Sequence, residues 1–62
     1  MSLLYKVESF LQRHSLTPTR FGRLAVRDPR LVFDLRRGRE PRERTARRIE
    51  AYMAREDCPN AN

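Results

Sequence analysis

The stretch DPRLVFDLRRG, residues 28–38, constrains the fold more than any other part of the chain. Asp28 can cap a helix, Pro29 fits its first turn, and Gly38 fits a left-handed stop, so only about nine residues can be helical between these signals. A helix of that length is not stable alone in water. The stretch therefore predicts a short helix that depends on a core shared with other helices.

Three further helical segments are predicted around this one. The first runs from about residue 3 to residue 14, with Ser2 as its cap and an apolar face at helical spacing. That face comprises Leu4, Val7, Phe10 and Leu11. The last runs from near Pro41 to about Arg55 and presents Ala46, Ile49 and Met53 on one side, with Tyr52 at the edge.

The second segment opens with LTPTRF, residues 16–21. Thr17 fits the cap and Pro18 the first helical position, and Leu16 and Phe21 stand at the two positions of a hydrophobic staple. Phe21, Leu24 and Ala25 are expected to continue the buried face. Gly22 lies inside the helix, where glycine costs about 1 kcal/mol relative to alanine, so we expect a neighbouring helix to approach closely there.

These signals predict an all-α fold, a compact four-helix domain of residues 1–56 with a flexible tail of residues 57–62. The 62 residues allow one domain, and the one cysteine, Cys58, cannot form an internal disulfide. No Cys/His set has metal-ligand spacing, so neither a metal nor a cofactor is expected. The apolar runs are too short to span a membrane, and a cytoplasmic, bacterial or phage-encoded protein is expected.

Positive charge is concentrated in the middle of the chain. Between Arg20 and Arg48 there are eleven arginines and four acidic residues, a balance of +7, whereas the remainder carries −1, which together give the net charge of +6. Thirteen of the fourteen basic residues are arginine, whose forked donors suit phosphates and guanine edges. The distribution indicates a polyanionic partner.

The short third helix is predicted to have two different sides. At about 100° per residue, Leu31 and Leu35 fall beside Val32. The opposite side carries Arg30, Phe33 and Arg37, with Asp34 and Arg36 at its edges. A packed helix, a tight turn and a second helix with a polar outer face predict a helix-turn-helix, whose second helix fits the major groove of DNA.

Residues 17–53, TPTRFGRLAVRDPRLVFDLRRGREPRERTARRIEAYM, resemble the Cro/lambda-repressor-type helix-turn-helix family. RRG at 36–38 is similar to the end of that family's recognition helix, and REPRERT to its proline-containing loop. The resemblance implies double-stranded DNA binding, transcriptional control and a homodimer on two half-sites. Two features depart from the family: Arg27 stands near its turn glycine, and almost no chain is left for a fifth helix.

The resemblance also implies roles for individual residues. The side chains expected to contact base edges are Arg30, Phe33, Asp34 and Arg37: the arginines would fork onto guanine, the phenylalanine would touch a thymine methyl, and the carboxylate would accept from cytosine or steer an arginine. The residues expected to contact phosphates are Thr19, Arg20, Arg27, Arg39 and Arg42.

Other interpretations remain open at this stage. Phe33 would instead anchor a protein partner if the domain were an interaction module, and RNA binding is a weaker alternative because few exposed rings are expected. Arg36 is expected to pair with Asp34 or Glu40, and Arg47 and Arg48 to form a solvated face. The lone histidine, His14, has no nucleophile beside it, so neither an enzyme nor a small-molecule substrate is expected.

Overall fold

The computed structural model describes residues 2–57, which form four helices joined by short turns. Helix α1 spans Leu3–His14, α2 Pro18–Val26, α3 Leu31–Arg36 and α4 Glu43–Asp57. The described range contains no strand, so the predicted all-α, four-helix class is confirmed. None of these helices is long and apolar enough to cross a membrane. Residues 58–62, which include Cys58 and most of the predicted tail, lie outside the described residues.

Helices α1 and α2 begin where their capping residues predict. The Ser2 hydroxyl accepts a hydrogen bond from the backbone N–H of Tyr5, and the Thr17 hydroxyl accepts one from that of Arg20, both at 3.2 Å. Pro18 follows directly as the first residue of α2, where its missing N–H costs nothing. Both helices end at a residue in the left-handed conformation, Ser15 with φ 51° and Arg27 with φ 61°.

Helix α3 is shorter than predicted because Asp28 shapes a turn instead of capping the helix. The Asp28 carboxylate accepts a hydrogen bond of 2.9 Å from the N–H of Arg30, and its carbonyl accepts one of 3.1 Å from that of Leu31. These bonds hold residues 28–31 in a tight turn, so the helix begins at Leu31 rather than beside Pro29. The predicted stop is confirmed: Gly38 has φ +94°.

All four helices contribute to one core. The fully enclosed large side chains come from each of them: Val7, Phe10, Phe21, Val32 and Ile49. Three residues of the predicted apolar faces are not fully buried: Leu4 and Ala46 are partly buried, and Leu24 is 51% exposed. Phe21, Gly22 and Ala25 are the buried residues of α2, and the centre of their face lies about 100° around the helix from Leu24.

Gly22 packs directly against the turn that follows its helix. A Cβ atom at this position would lie 2.1 Å from the carbonyl oxygen of Asp28 and 3.3 Å from the Cβ of Leu31. The predicted close approach is therefore confirmed, and the neighbour is the turn backbone together with the start of α3. This contact sets α3 beside α2.

The far end of α4 is tied to the end of α1 through Asp57. Its Oδ1 atom lies 2.8 Å from Nη1 of Arg13 and 2.7 Å from Nε2 of His14. The pKa of Asp57 is lowered, chiefly by the hydrogen bond with His14 and then by Arg13. Sequence reasoning placed Asp57 in the tail; it is instead the last residue of α4, held by partners 43 and 44 positions away.

Candidate nucleic-acid interface

Helix α3 has the two-sided character that the sequence predicts. Leu31, Val32 and Leu35 are buried at 5%, 0% and 6% exposure, whereas Phe33 on the other side is 43% exposed. The inner face holds the helix in the domain. The outer face, with the residues that flank the helix, is accessible to a partner.

The two arginines predicted for the outer face of α3 lie just beyond its ends. Arg30 precedes the first helical residue and Arg37 follows the last one, and both side chains are exposed. Within residues 2–57, no acidic side chain lies within ion-pair distance of either guanidinium group. The exposed phenylalanine is therefore flanked along the chain by two arginines that form no ion pair with carboxylates of residues 2–57.

Asp34, predicted to contact bases, is half-buried and linked to the loop that follows α3. Its carboxylate oxygen Oδ2 lies 3.7 Å from Nη1 of Arg39. Its backbone carbonyl accepts hydrogen bonds from the N–H groups of Arg37 and Arg39, at 3.1 and 3.0 Å. The arrangement holds Arg39, a predicted phosphate contact, next to the end of α3.

Arg36 joins α3 to α1, which sequence reasoning did not foresee. Its Nε and Nη2 atoms donate to the two carboxylate oxygens of Glu8 at 2.6 and 2.9 Å, rather than to Asp34 or Glu40 as expected. This forked hydrogen bond lowers the pKa of Glu8. The Arg36 guanidinium also lies 5.8 Å from the centre of the Phe33 ring. Glu8 is 28 positions away, so no local pattern identifies it as the partner.

The residues predicted to contact phosphates are all exposed: Thr19, Arg20, Arg27, Arg39 and Arg42. Thr19 and Arg20 lie in the first turn of α2, where backbone N–H groups attract anions. Arg27 ends α2, and Arg42 immediately precedes α4. Of the four arginines, Arg20, Arg27 and Arg42 lie beyond ion-pair distance of every acidic side chain in the described range, whereas Arg39 lies near Asp34.

The turn between α2 and α3 contains four residues, 27–30. Its first residue, Arg27, has φ 61°, a left-handed conformation that glycine adopts more readily than any other residue. Arg27 is also the residue that stands near the turn glycine of the resembled family. The backbone thus takes a glycine-like conformation there with an arginine side chain.

No protein-family model, curated protein or solved structure matches this chain. Function is therefore inferred from the charge and geometry of residues 2–57.

Proposed function

We propose that this protein is a sequence-specific duplex DNA-binding protein, a small transcriptional regulator in which α2 and α3 act as a helix-turn-helix. One observation carries the proposal: α3 buries its apolar side and leaves Phe33 exposed, and the flanking Arg30 and Arg37 lie beyond ion-pair distance of every acidic side chain in residues 2–57. Such a surface fits the width of the major groove and offers donors in the geometry that guanine edges accept.

Phosphate contacts would position the protein before any base is read. Arg20 near the start of α2, Arg27 at its end and Arg42 before α4 would supply the positive charge for these contacts. These contacts release counterions and carry no sequence information. Affinity for any duplex should consequently fall as salt rises.

Base contacts would then select a site. Arg30 and Arg37 fork onto guanine O6 and N7, and Phe33 meets a thymine methyl. The half-buried Asp34 lies beside Arg39 and orients that arginine toward the DNA. The Arg36 side chain has a different role because its Nε and Nη2 atoms donate to the two Glu8 oxygens, and this contact holds α3 against α1.

The test is a titration with random and selected duplexes at several salt concentrations. Arg37→Ala should weaken binding to the selected duplex by about 1–3 kcal/mol and relax its sequence preference. Arg44→Ala removes the same charge from an exposed arginine of α4 and is the matched control. It should weaken binding to the random and the selected duplex slightly and by the same factor. Equal effects of the two variants on both duplexes would contradict base reading.

A second candidate function is suggested by the exposure of Phe33. At 43% exposure, this ring could fill a pocket on a protein partner, with the surrounding arginines on the rim. In that case Phe33→Ala abolishes partner binding while Arg37→Ala leaves it largely unchanged.

Competition between duplex DNA and structured RNA at equal salt separates the proposed function from RNA binding.

A further inference from the structure

A second basic surface lies between α2 and α4. A groove of about 370 Å³ is lined there by side chains of both helices, which include Arg23, Leu24, Arg27, Arg48, Tyr52 and Arg55. Only Arg27 is shared with the residues proposed to contact DNA. We refer to this surface as the α2–α4 groove.

Among residues 2–57, four arginines and no acidic residue line the α2–α4 groove. Arg23, Arg27 and Arg48 lie beyond ion-pair distance of every carboxylate in residues 2–57. Arg55 is 3.8 Å from its neighbour Glu56, and its guanidinium lies 5.7 Å from the centre of the Tyr52 ring. Four like charges around one concavity repel each other, and an anionic occupant would relieve that repulsion.

The groove also has apolar lining: Leu24, which is 51% exposed, Ala51 and the half-buried Tyr52. An exposed apolar residue among charged ones is typical of a protein-binding surface. A nucleic-acid backbone would satisfy the arginines but would leave the leucine without an apolar partner.

We propose that the α2–α4 groove binds an acidic protein segment that carries one apolar anchor residue. The anchor packs on Leu24, and carboxylates on either side accept forked hydrogen bonds from the arginines. The volume suits a few side chains rather than a whole helix, because it lies near the lower end of the roughly 300–1,000 Å³ of ligand pockets. This inference does not depend on the proposed DNA binding, although the groove adjoins that surface: Arg27 is common to both, and Leu24 and Arg23 also lie next to Thr19 and Arg20.

Two synthetic peptides test the proposal. The first, Glu-Asp-Glu-Leu-Asp-Glu-Asp, carries the leucine anchor, and the second replaces that leucine with serine at unchanged charge. The full chain should bind the leucine peptide at least about tenfold more tightly, which is about 1.4 kcal/mol. Equal affinity for the two peptides would show that charge alone attracts them and would overturn the proposal.

Variants locate the site. Leu24→Ser should abolish the preference for the leucine peptide, whereas Phe33→Ser, which changes an exposed apolar residue outside the groove, should leave it intact. Arg48→Glu should weaken the binding of both peptides more than Arg44→Glu does, which reverses a charge on the same helix outside the groove. Helical circular dichroism of each variant verifies folding. A preference that persists in Leu24→Ser, or disappears only in Phe33→Ser, would overturn the proposal.

A duplex DNA titration of the same variants tests whether the groove and the proposed DNA surface bind independently. Leu24→Ser should bind a random duplex as well as the unaltered protein does, because the substitution changes no charge. If it weakened duplex and peptide binding alike, the groove would belong to a nucleic-acid surface, and the assignment to an acidic protein segment would be wrong.

Discussion

At Gly22, the addition of a single methyl group should destabilise the fold. In an ordinary helix interior, alanine in place of glycine stabilises by about 1 kcal/mol. Here the new methyl group would overlap the Asp28 carbonyl oxygen, 2.1 Å away, and that oxygen belongs to the backbone of a tight turn. We therefore expect Gly22→Ala to lower the free energy of unfolding by about 1–3 kcal/mol, as overpacking does, measured by urea denaturation.

Gly38→Ala is the comparison for that variant. Gly38 has φ +94°, but no atom lies within 4 Å of the place where its Cβ would be. The cost there comes from backbone conformation alone, about 1–2 kcal/mol, and asparagine should recover part of it. If Gly22→Ala were instead stabilising, the close packing of α2 against the turn would be wrong.

Arg27 allows folding and binding to be separated in a single substitution. Its left-handed backbone is strained for arginine, and glycine relieves that strain at some entropic cost. Arg27→Gly should therefore raise the free energy of unfolding by roughly 0.5 kcal/mol while weakening binding to duplex DNA. Thermal unfolding and a duplex titration measure the two effects.

Ser15→Gly is the matched control, because Ser15 ends α1 in the same conformation with φ 51° and carries no charge. It should stabilise the protein to a similar extent and leave DNA affinity unchanged. Weaker DNA binding by both variants would mean that the loss comes from turn flexibility rather than from the missing guanidinium.

At the residue scale, the sequence predicts those features that are encoded locally. Ser2 and Thr17 were identified as caps because hydroxyl side chains bond to N–H groups three residues ahead. Leu24 was misplaced because the buried side of α2 includes Gly22, which has no apolar side chain to reveal that side in a hydropathy pattern. Asp28 was misassigned because aspartate bonds equally well within a turn and at a helix start.

At the scale of helices, three ion-paired contacts join α1 to its neighbours; one of them, Lys6–Glu50 at 3.6 Å, joins it to α4. Glu8 receives the forked donors of Arg36 from α3, and Asp57 of α4 contacts His14 and Arg13. Both carboxyl pKa values are lowered in the folded protein. The unfolded chain therefore binds more protons at acid pH, and stability is lost as pH falls.

The expected result is a fall in the free energy of unfolding as pH drops below the ordinary carboxyl values of 4.5 for Glu8 and 3.8 for Asp57. Above those values the contribution is fully present. Glu8→Gln and Asp57→Asn should each flatten this acid dependence, measured by urea denaturation from about pH 6 to about pH 3. Glu40→Gln is the control, since Glu40 is exposed and pairs with no basic side chain of the described residues. An acid dependence unchanged in both test variants would show that these pairs add nothing to stability.

Helix positions were largely predictable from the sequence, but the connections between helices were not. The bounds of α1 follow from one cap and one apolar periodicity, both local. The Arg36–Glu8 and Asp57–His14 contacts join residues 28 and 43 positions apart, and several oppositely charged partners were equally plausible on composition. The side of α3 that faces outward was predictable because Leu31, Val32 and Leu35 share one side of the helix, whereas the α2–α4 groove depends on where two helices meet.

At the scale of the whole molecule, the size of the domain sets the length of duplex that one copy covers, and its charge sets how strongly salt weakens DNA binding. The described residues measure 36 × 24 × 23 Å, so one copy covers little more than one turn of duplex. Four of the proposed phosphate contacts are arginines, which predicts a slope of log affinity against log salt of roughly −3.6. Between about 50 and 200 mM salt, affinity for one copy should then fall about a hundredfold.

So steep a loss leaves a single copy weakly bound at physiological salt, and two copies on adjacent half-sites would offset it. We therefore expect the protein to bind tightly to duplexes with two inverted sites about 34 Å apart, one helical turn, which places both α3 helices on the same side of the DNA. Shifting one site by about half a turn should weaken binding at least tenfold, because the second copy would face the opposite side. Gel-shift titrations across a spacing series measure this. If affinity did not depend on the spacing between the two sites, each copy would be binding alone and the expected homodimer on DNA would not form.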